Sequence, residues 1–474
     1  MAMDKPNIVL ILVDQFRGDC VRVAGNPYIQ TPYLDELAGY GCLFEQAYSP
    51  SPTCIPARAC LVTGLEPSGA GFFTNDFSVE WTYQNTMMEQ LRNGGYQTIN
   101  VGKNHFKPQR NALGFEINMT YETGKDERNL PSDYHQWLAQ MSAGQVQDTA
   151  YLHECNGWVP LPWTHPRHLH PTEWTADESI RQLERRDPTR PFYLQMSFQR
   201  PHPPLDPPPE MLALYQGQEL PGPWIGDWVE PCDKDTLLTN AFEGRIEKGA
   251  LRRATEAYYA SITYIDRQIG KLTAYLMRNR LWNNTVILFT SDHGELLGDH
   301  HLFRKGPALQ GSAHIPFIVK PVERMKQQRI QNPVSLCDIM PTFLEWAGIE
   351  PAYPTDGDSL LPLLRGQCWS RTYIYGENYR DLPFYKAGWA FVVDGRYKYI
   401  WDSLRGRELF FDLNNDPHEL TNLAGKDEYA HAMLPMRDYL KAQYAKRPTD
   451  NMLDEYGELA FPRLLPSYRI ADAL

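Results

Sequence analysis

Two apolar runs that stop on an acidic residue constrain this chain more than any other feature. Residues 7–13, NIVLILV, and 285–290, TVILFT, are dominated by β-branched residues and leucine. That is the pattern of strands buried on both faces of a parallel sheet. Each run ends in a polar cluster, Asp14-Gln15 after the first and Ser291-Asp292-His293-Gly294 after the second. Ligands of open α/β sheets bind at the carboxyl ends of the strands, so these residues are candidates for chemistry on position alone. Around them the pattern alternates. A helix opens at Thr31-Pro32, with proline in its first turn, and carries Leu34, Leu37 and Ala38. Strands over 42–48, 96–101, 192–198 and 315–320 interleave with helices beginning within 49–64 and over 86–93, 173–186, 251–280 and 335–347. This β-α-β succession predicts an α/β fold whose large domain holds a mostly parallel sheet, covered by helices on both faces.

After DGDSLLPLLRG, residues 356–366, the texture changes to alternating strands over 386–393, 397–400 and 408–412, followed by a helix over 428–444. The expectation is a smaller C-terminal α+β domain with an antiparallel sheet, dividing the chain into 1–366 and 367–474. Between about 122 and 170 the periodicity weakens while tryptophan, histidine and proline accumulate, which predicts an inserted lid or subdomain. Trp158, Trp163 and Trp174, in and beside it, would either stack on a substrate or pack the insert. The loop RPHPPLDPPPE, residues 200–210, is expected not to pair in a sheet, because proline has no amide donor. The tail 451–474 has enough apolar residues to dock, and an oligomer interface would be sought there.

Composition excludes several functions. With 42% hydrophobic and 22% charged residues in a chain of 474, the protein belongs to the soluble globular class rather than a fibrous or disordered one. A formal net charge of −12 argues against nucleic acid or an anionic membrane as partner. The 8 cysteines show no paired metal spacing and are too sparse for a disulfide framework, so reduced thiols are expected. The first apolar run, about seven residues long, lacks the core and cleavage site of a signal peptide. No stretch approaches the roughly 20 apolar residues of a membrane span. The expectation is a cytoplasmic protein without a membrane partner, in which the sequons at Asn118 and Asn283 go unused.

The stretch 49–64, SPSPTCIPARACLVTG, sets Cys54, Pro56 and Arg58 as C-x-P-x-R ahead of a short apolar segment. Alone, the pentapeptide reads equally well as a buried cysteine before a proline-started helix. It does not stand alone. Asp14-Gln15, Gly102-Lys103-Asn104-His105, Arg200-Pro201-His202-Pro203 and Ser291-Asp292-His293-Gly294, with Lys305 beyond, accompany it. In this order the motifs resemble those of the type I, formylglycine-dependent sulfatases of the alkaline phosphatase superfamily, and the resemblance runs from residue 6 to about 423. ELFFDLNNDPHELTNLA, residues 408–424, is similar to the wording of that family's small C-terminal domain.

Hydrolysis of an anionic sulfate monoester needs a nucleophile in line with the leaving alcohol and positive charge around the transferring group. The resemblance implies how this chain would supply both. Cys54 would be oxidised to formylglycine by a formylglycine-generating or anaerobic sulfatase-maturing enzyme, and its hydrate would attack sulfur to give a covalent sulfo-enzyme. Arg58 would hold the other hydrate oxygen, and His105 would take the proton whose loss releases sulfate. Lys103, His202 and Lys305 would contact the sulfate oxygens, with His202 or Lys305 protonating the leaving alcohol. Asp14, Gln15, Asp292 and His293, together with residue 54, would hold one divalent metal ion. Many relatives carry aspartate in place of Gln15 and asparagine in place of His293. Calcium leads among the candidate ions, while the imidazole keeps manganese open beside magnesium. The substrate is expected to be a small sulfated sugar or an aryl or alkyl sulfate. A phosphonate monoester or phosphodiester hydrolase with the same site, and a non-catalytic binding protein with a vestigial one, are the competing expectations. His300-His301 and the His165, His168, His170 set read as surface, supporting or lid residues rather than ligands.

Overall fold

The computed structural model describes residues 5–123, 129–151, 156–232, 235–323, 327–382 and 385–461. Its first strands along the chain are β1 (Asn7–Asp14), β2 (Cys42–Phe44), β3 (Ala47–Tyr48), β4 (Gln97–Gly102) and β5 (Ile117–Thr120). They are followed by β6 (Phe192–Pro201), β7 (Thr285–Ser291), β8 (Phe317–Lys320), β9 (Gln328–Ile330) and β10 (Val334–Ser335). One sheet runs in the order β5-β4-β6-β1-β7-β8-β2-β9, and β3 pairs with β10 beside it. The apolar run of β1 is central, parallel to β6 on one side and β7 on the other. β4 extends the parallel set beyond β6. β8 is antiparallel to both β7 and β2, so the sheet is mostly parallel, as the sequence implies, with one reversed strand.

Alternation along β1 shows why the sheet is covered on both faces. Val9, Ile11 and Val13 enter a core with Leu34 and Leu37, Trp174, and Ile262, Ile265 and Ile269 of the long Lys248–Arg278 helix. Ile8, Leu10 and Leu12 enter the opposite core with Ile55 and Leu61 of the Cys54–Thr63 helix, Met87 and Leu91 of the Met87–Asn93 helix, and Phe343 of the Ile339–Ala347 helix. A strand buried on both sides needs no polar alternation, which is the reason its sequence shows none.

A second sheet, β11 (Ile374–Leu382), β12 (Tyr385–Val393), β13 (Tyr397–Asp402) and β14 (Arg407–Asp412), is antiparallel and ordered as in the chain. One face takes Met436, Leu440 and Tyr444 of the Ala430–Ala445 helix, together with Met452 and Leu459 from the start of the C-terminal tail. The other face, with Phe391, Ile400 and Phe411, meets Tyr48, Leu296 and Leu309 of the main-sheet loops. The tail beyond residue 461 and Cys155 lie outside the described residues.

Several elements differ from expectation. The strand expected over 42–48 is broken into β2 and β3, which join different sheets. The strand over 192–198 continues through Pro201, whose partner Asp14 lies past an irregularity in the register; the cost of proline is avoided because this is the strand's end. β11 was not foreseen. Within 122–170, Tyr134, Leu138, Trp163 and Leu169 are core residues, packed with the strands and helices of the main sheet.

Candidate active site

The carboxyl ends of four strands deliver the candidate residues to one place. β1 ends on Asp14, β4 on Gly102 with Lys103 next, β6 on Pro201 with His202 next, and β7 on Ser291 with Asp292 and His293 next. Gly102 is required here. Its φ is +114°, and a Cβ would fall 1.8 Å from the Ser197 carbonyl oxygen of β6. The fifth contribution is the first turn of the Cys54–Thr63 helix, every residue of which is buried and which ends on left-handed Gly64.

Cys54 sits at the start of that helix, 2% exposed. Its Sγ lies 3.2 Å from His293 Nε2 and 3.8 Å from Asp14 Oδ1. The opposite ring nitrogen, His293 Nδ1, donates to the Gly294 carbonyl at 2.9 Å. A carbonyl can only accept, so Nδ1 carries a proton and Nε2 faces Cys54 and the Asp14 carboxylate, 3.3 Å away; burial lowers the His293 pKa, but Asp292 and Cys54 outweigh it and raise it. Asp292 Oδ1 accepts the backbone N–H of Gln15 and of His293, at 3.2 and 2.9 Å, and Oδ2 accepts Arg58 Nε at 2.9 Å. Asp14 is contacted through Oδ2 by Lys103 Nζ. Burial pushes the Asp14 carboxyl up, but Lys103, His202, His293 and Arg58 outweigh it and hold it well below the usual range. The Cys54 thiol is lowered too: burial and Asp14 resist ionisation, and Lys305, Lys103 and His293 prevail.

Asp14, Cys54, Asp292 and His293 bring their ligand atoms within 4.8 Å of one another. Two carboxylates and an imidazole with its tautomer already fixed suit a divalent ion, so this donor set fits the metal the family implies. Gln15 is adjacent but engaged elsewhere. Its Oε1 accepts Lys305 Nζ at 2.7 Å and its Nε2 donates to Glu295. Its backbone is left-handed, φ 68°.

Beside this donor set stand Arg58, Lys103, His105, His202 and Lys305. Arg58 Nη1 donates to the Lys103 carbonyl at 2.6 Å and to Ser197 Oγ at 3.1 Å, while its Nη2 is buried without a partner among the described residues. His202 Nδ1 donates to the Pro203 carbonyl at 2.8 Å. Burial and the charge of Lys305 put its pKa well below the ordinary histidine value. His105 is lowered likewise, by burial, Lys103 and Arg58. Its Nδ1 is buried and has no partner among the described residues.

Three contributors escaped the sequence reading. Glu122 receives the backbone N–H of Asn104 and of His105 on one oxygen, both at 2.7 Å. Ser197 carries Arg58. Phe77, 64% exposed, meets the His105 ring edge-on at 5.8 Å and lines a cavity of about 300 Å³ with Ile55, Trp81, Phe106 and Glu122. The G-K-x-H motif of 102–105 signals the turn but not the acid that anchors it from β5's far end. Other tempting residues stand apart. His300 packs on Trp228, Trp163 and Trp174 are 2% and 1% exposed core residues, and His170 contacts the Asp206 carbonyl.

A covered parallel sheet with paired carboxylates, an imidazole and a ring of cations at its carboxyl edge defines an ester hydrolase of the alkaline phosphatase superfamily. More narrowly, the chain belongs to the sulfatase family. The family model Sulfatase matches residues 6–349, and a model for the N-sulphoglucosamine sulphohydrolase C-terminal region matches 298–446. An arylsulfatase of Clostridium perfringens (strain 13 / Type A) is 41% identical over 456 residues, 92% of this chain and 93% of the relative. The multifunctional alkaline phosphatase superfamily protein PehA of Trinickia caryophylli is 30% identical, covering 92% and 94%. Among solved structures, the phosphonate monoester hydrolase of Agrobacterium radiobacter matches with a TM-score of 0.77 at 25% identity, over 93% of this chain and 96% of that one. The chain is therefore a sulfuric-ester hydrolase. Among the described residues no helix is long and apolar enough to cross a membrane.

Proposed function

We propose that this sulfatase cleaves the sulfate monoester of a small ring-bearing alcohol, an aryl sulfate or a sulfated mono- or disaccharide, using formylglycine made from Cys54 and one divalent metal ion. The observation that carries the reading is the convergence on Cys54 of His293 Nε2, at 3.2 Å, and the Asp14 carboxylate, at the mouth of a buried helix. The Cys54 sulfur stands where the oxygens of the modified residue would sit. Hydrated formylglycine supplies a nucleophilic hydroxyl and a second hydroxyl whose deprotonation frees the product, and a maturase must make it. Asp14, Asp292 and His293 would hold the metal, which supplies Lewis-acid polarisation of an oxygen ligand; calcium fits the carboxylates, and manganese or magnesium remain within the set's reach.

The remaining roles follow from the chain's own groups. Arg58 Nη2 is the guanidinium nitrogen left to orient residue 54, since its other nitrogens are engaged. Lys103 and Lys305 neutralise the sulfate. His202 has its Nδ1–H committed to the Pro203 carbonyl, so Lys305 is the group that protonates the leaving alcohol. Phe77 gives the alcohol's ring an apolar face beside His105.

A second reading, phosphonate monoester or phosphodiester hydrolysis, is favoured by one observation: the Agrobacterium hydrolase shares the fold at a TM-score of 0.77. Mature protein assayed in parallel on nitrophenyl sulfate, a phosphonate monoester and a phosphate diester separates the two. Faster turnover of either phosphorus substrate by orders of magnitude overturns the sulfatase preference. The Cys54 peptide should have lost sulfur and gained oxygen; an unmodified thiol in fully active protein overturns the formylglycine reading.

A further inference from the structure

His105 sits in a conformation that it would not hold alone. Its φ is 60°, the left-handed region that costs a non-glycine residue about 1 kcal/mol or more. The carboxylate of Glu122, 6% exposed, compensates by accepting the two successive backbone N–H groups of Asn104 and His105 on Oε1. Its other oxygen, Oε2, lies 3.6 Å from His105 Nε2. That distance exceeds a hydrogen bond but suffices for electrostatic preference: a proton on Nε2 faces a negative oxygen, whereas a lone pair there would be repelled. Asn104 is secured separately, its side chain bonded to Asn118 and Gln195 at 2.9 and 3.1 Å, so Glu122 serves the histidine turn rather than the asparagine.

We propose that Glu122 is the positioning residue of the sulfate-release step: it clamps the turn at 103–105 and keeps the His105 proton on Nε2, so that buried Nδ1 is the base. The inference rests on the roles given above to residue 54 and His105. In that step Nδ1 takes the proton of the hydroxyl remaining on the sulfated hydrate. The freed O–H pair becomes the second bond of the aldehyde C=O, and the bond from that carbon to the bridging oxygen breaks with its pair leaving on sulfate. Imidazolium, aldehyde and sulfate dianion balance the atoms and charge. The cations facing His105, Lys103 and Arg58, with His202 beside them and Asp14 opposing, keep the ring neutral beforehand.

Two measurements test this independently. Nitrogen NMR of histidine-labelled protein, on the unmodified Cys54 form, should show His105 protonated on Nε2, and Glu122→Gln should shift it towards Nδ1, because the glutamine amide turns a donor to Nε2 while its oxygen keeps the two backbone bonds. With mature protein turning over nitrophenyl sulfate, His105→Ala should trap one SO3 on the residue 54 peptide. Glu122→Gln should accumulate the same adduct, with kcat lowered about 10- to 100-fold and KM within about twofold of wild type. If His105→Ala traps the adduct but Glu122→Gln shows neither adduct nor tautomer shift, Glu122 is structural and the proposal falls while the mechanism stands. If neither variant traps it, the reading of residue 54 and His105 fails and the proposal with it. Should Glu122→Gln not fold, Glu122→Asp, which keeps the charge but is one methylene short, must show a smaller share of adduct and kcat loss; wild-type behaviour overturns the proposal.

Discussion

Two buried charge clusters lie at neighbouring strand ends and differ in how completely they close. At the ends of β1, β4 and β7, Asp14, Asp292, Arg58, Lys103 and His293 are packed against one another, yet Arg58 Nη2 and His105 Nδ1 have no partner among the described residues. At the end of β6, Arg200 donates Nε and Nη2 to the two oxygens of Asp206, at 2.6 and 2.7 Å, and Nη1 to Tyr121 at 2.9 Å. Tyr121 donates to Asp148 at 2.6 Å, and His135 Nε2 lies 3.0 Å from the same carboxylate. None of these side-chain groups is among the unsatisfied buried atoms. A buried polar group without a partner costs on the order of 1–3 kcal/mol, so two open polar atoms in one cluster of charges suit a ligand that satisfies them. The closed network instead ties the 129–151 segment to β6. The difference teaches that burial and charge alone do not mark a site; open polar atoms inside a cluster of charges are the further sign, since single unsatisfied donors such as Trp174 Nε1 also occur in the core.

The comparison predicts opposite phenotypes. Cys54→Ala removes the nucleophile of the open cluster and should lower nitrophenyl sulfate turnover by at least ~10³-fold, with a melting temperature close to wild type. A comparable rate would break the contrast at its centre. Arg200→Met acts on the closed cluster. Burial pushes Asp206 and Asp148 up, and Arg200, with His170 and His135 respectively, holds both below the usual range. Removing the cation strands two buried carboxylates and should cost about 3–5 kcal/mol, read in a denaturant titration. Any protein that folds should retain KM for the sulfate ester within about threefold. A kinetic defect without a loss of stability would mean that the network serves chemistry after all.

Legibility in the sequence follows the same division. Asp14 and Asp292 are readable because an apolar run buried on both faces must stop where the strand does, and the residue at its end is set at the sheet edge. Cys54 and Arg58 are readable only because their C-x-P-x-R spacing comes with the other motifs in order; the pentapeptide alone is ambiguous. Glu122 is not: it reaches the 104–105 amides from past β5, a strand pairing that no local pattern encodes. β11 is hidden for a related reason. Its alternation is broken by Glu377, fully buried because Arg447 of a distant segment grips it at 3.0 and 2.7 Å. Phe77 lies in a loop without period, and only its exposure beside His105 distinguishes it.

A buried carboxylate outside both clusters, Asp266 of the Lys248–Arg278 helix, sharpens the contrast from the side of pH. It accepts the backbone N–H groups of Tyr33 and Leu34, at 3.2 and 2.8 Å, capping the Pro32–Gly39 helix. Burial pushes its pKa up to about 7, against the lowering by those two amides. Because the folded value lies above the unfolded 3.8, the folded state binds more protons between the two. Stability therefore falls as pH rises from about 4 to about 7 and levels off above, by up to about 4 kcal/mol from this residue. Asp266→Asn should flatten that slope in urea titrations while leaving turnover unchanged.

The smallest effect falls at the cavity wall. Phe77→Ala should raise KM for nitrophenyl sulfate about two- to tenfold, the worth of one aromatic contact, and leave kcat nearly unaltered because the ring touches the alcohol rather than the sulfate. A sulfate ester of a short acyclic alcohol should show no change in KM, since it has no ring to lay against the phenyl face. Equal loss for both substrates would instead mean that Phe77 acts through the His105 ring it meets edge-on. That outcome would move it from the apolar wall into the open cluster, and the cavity would no longer indicate what the alcohol looks like.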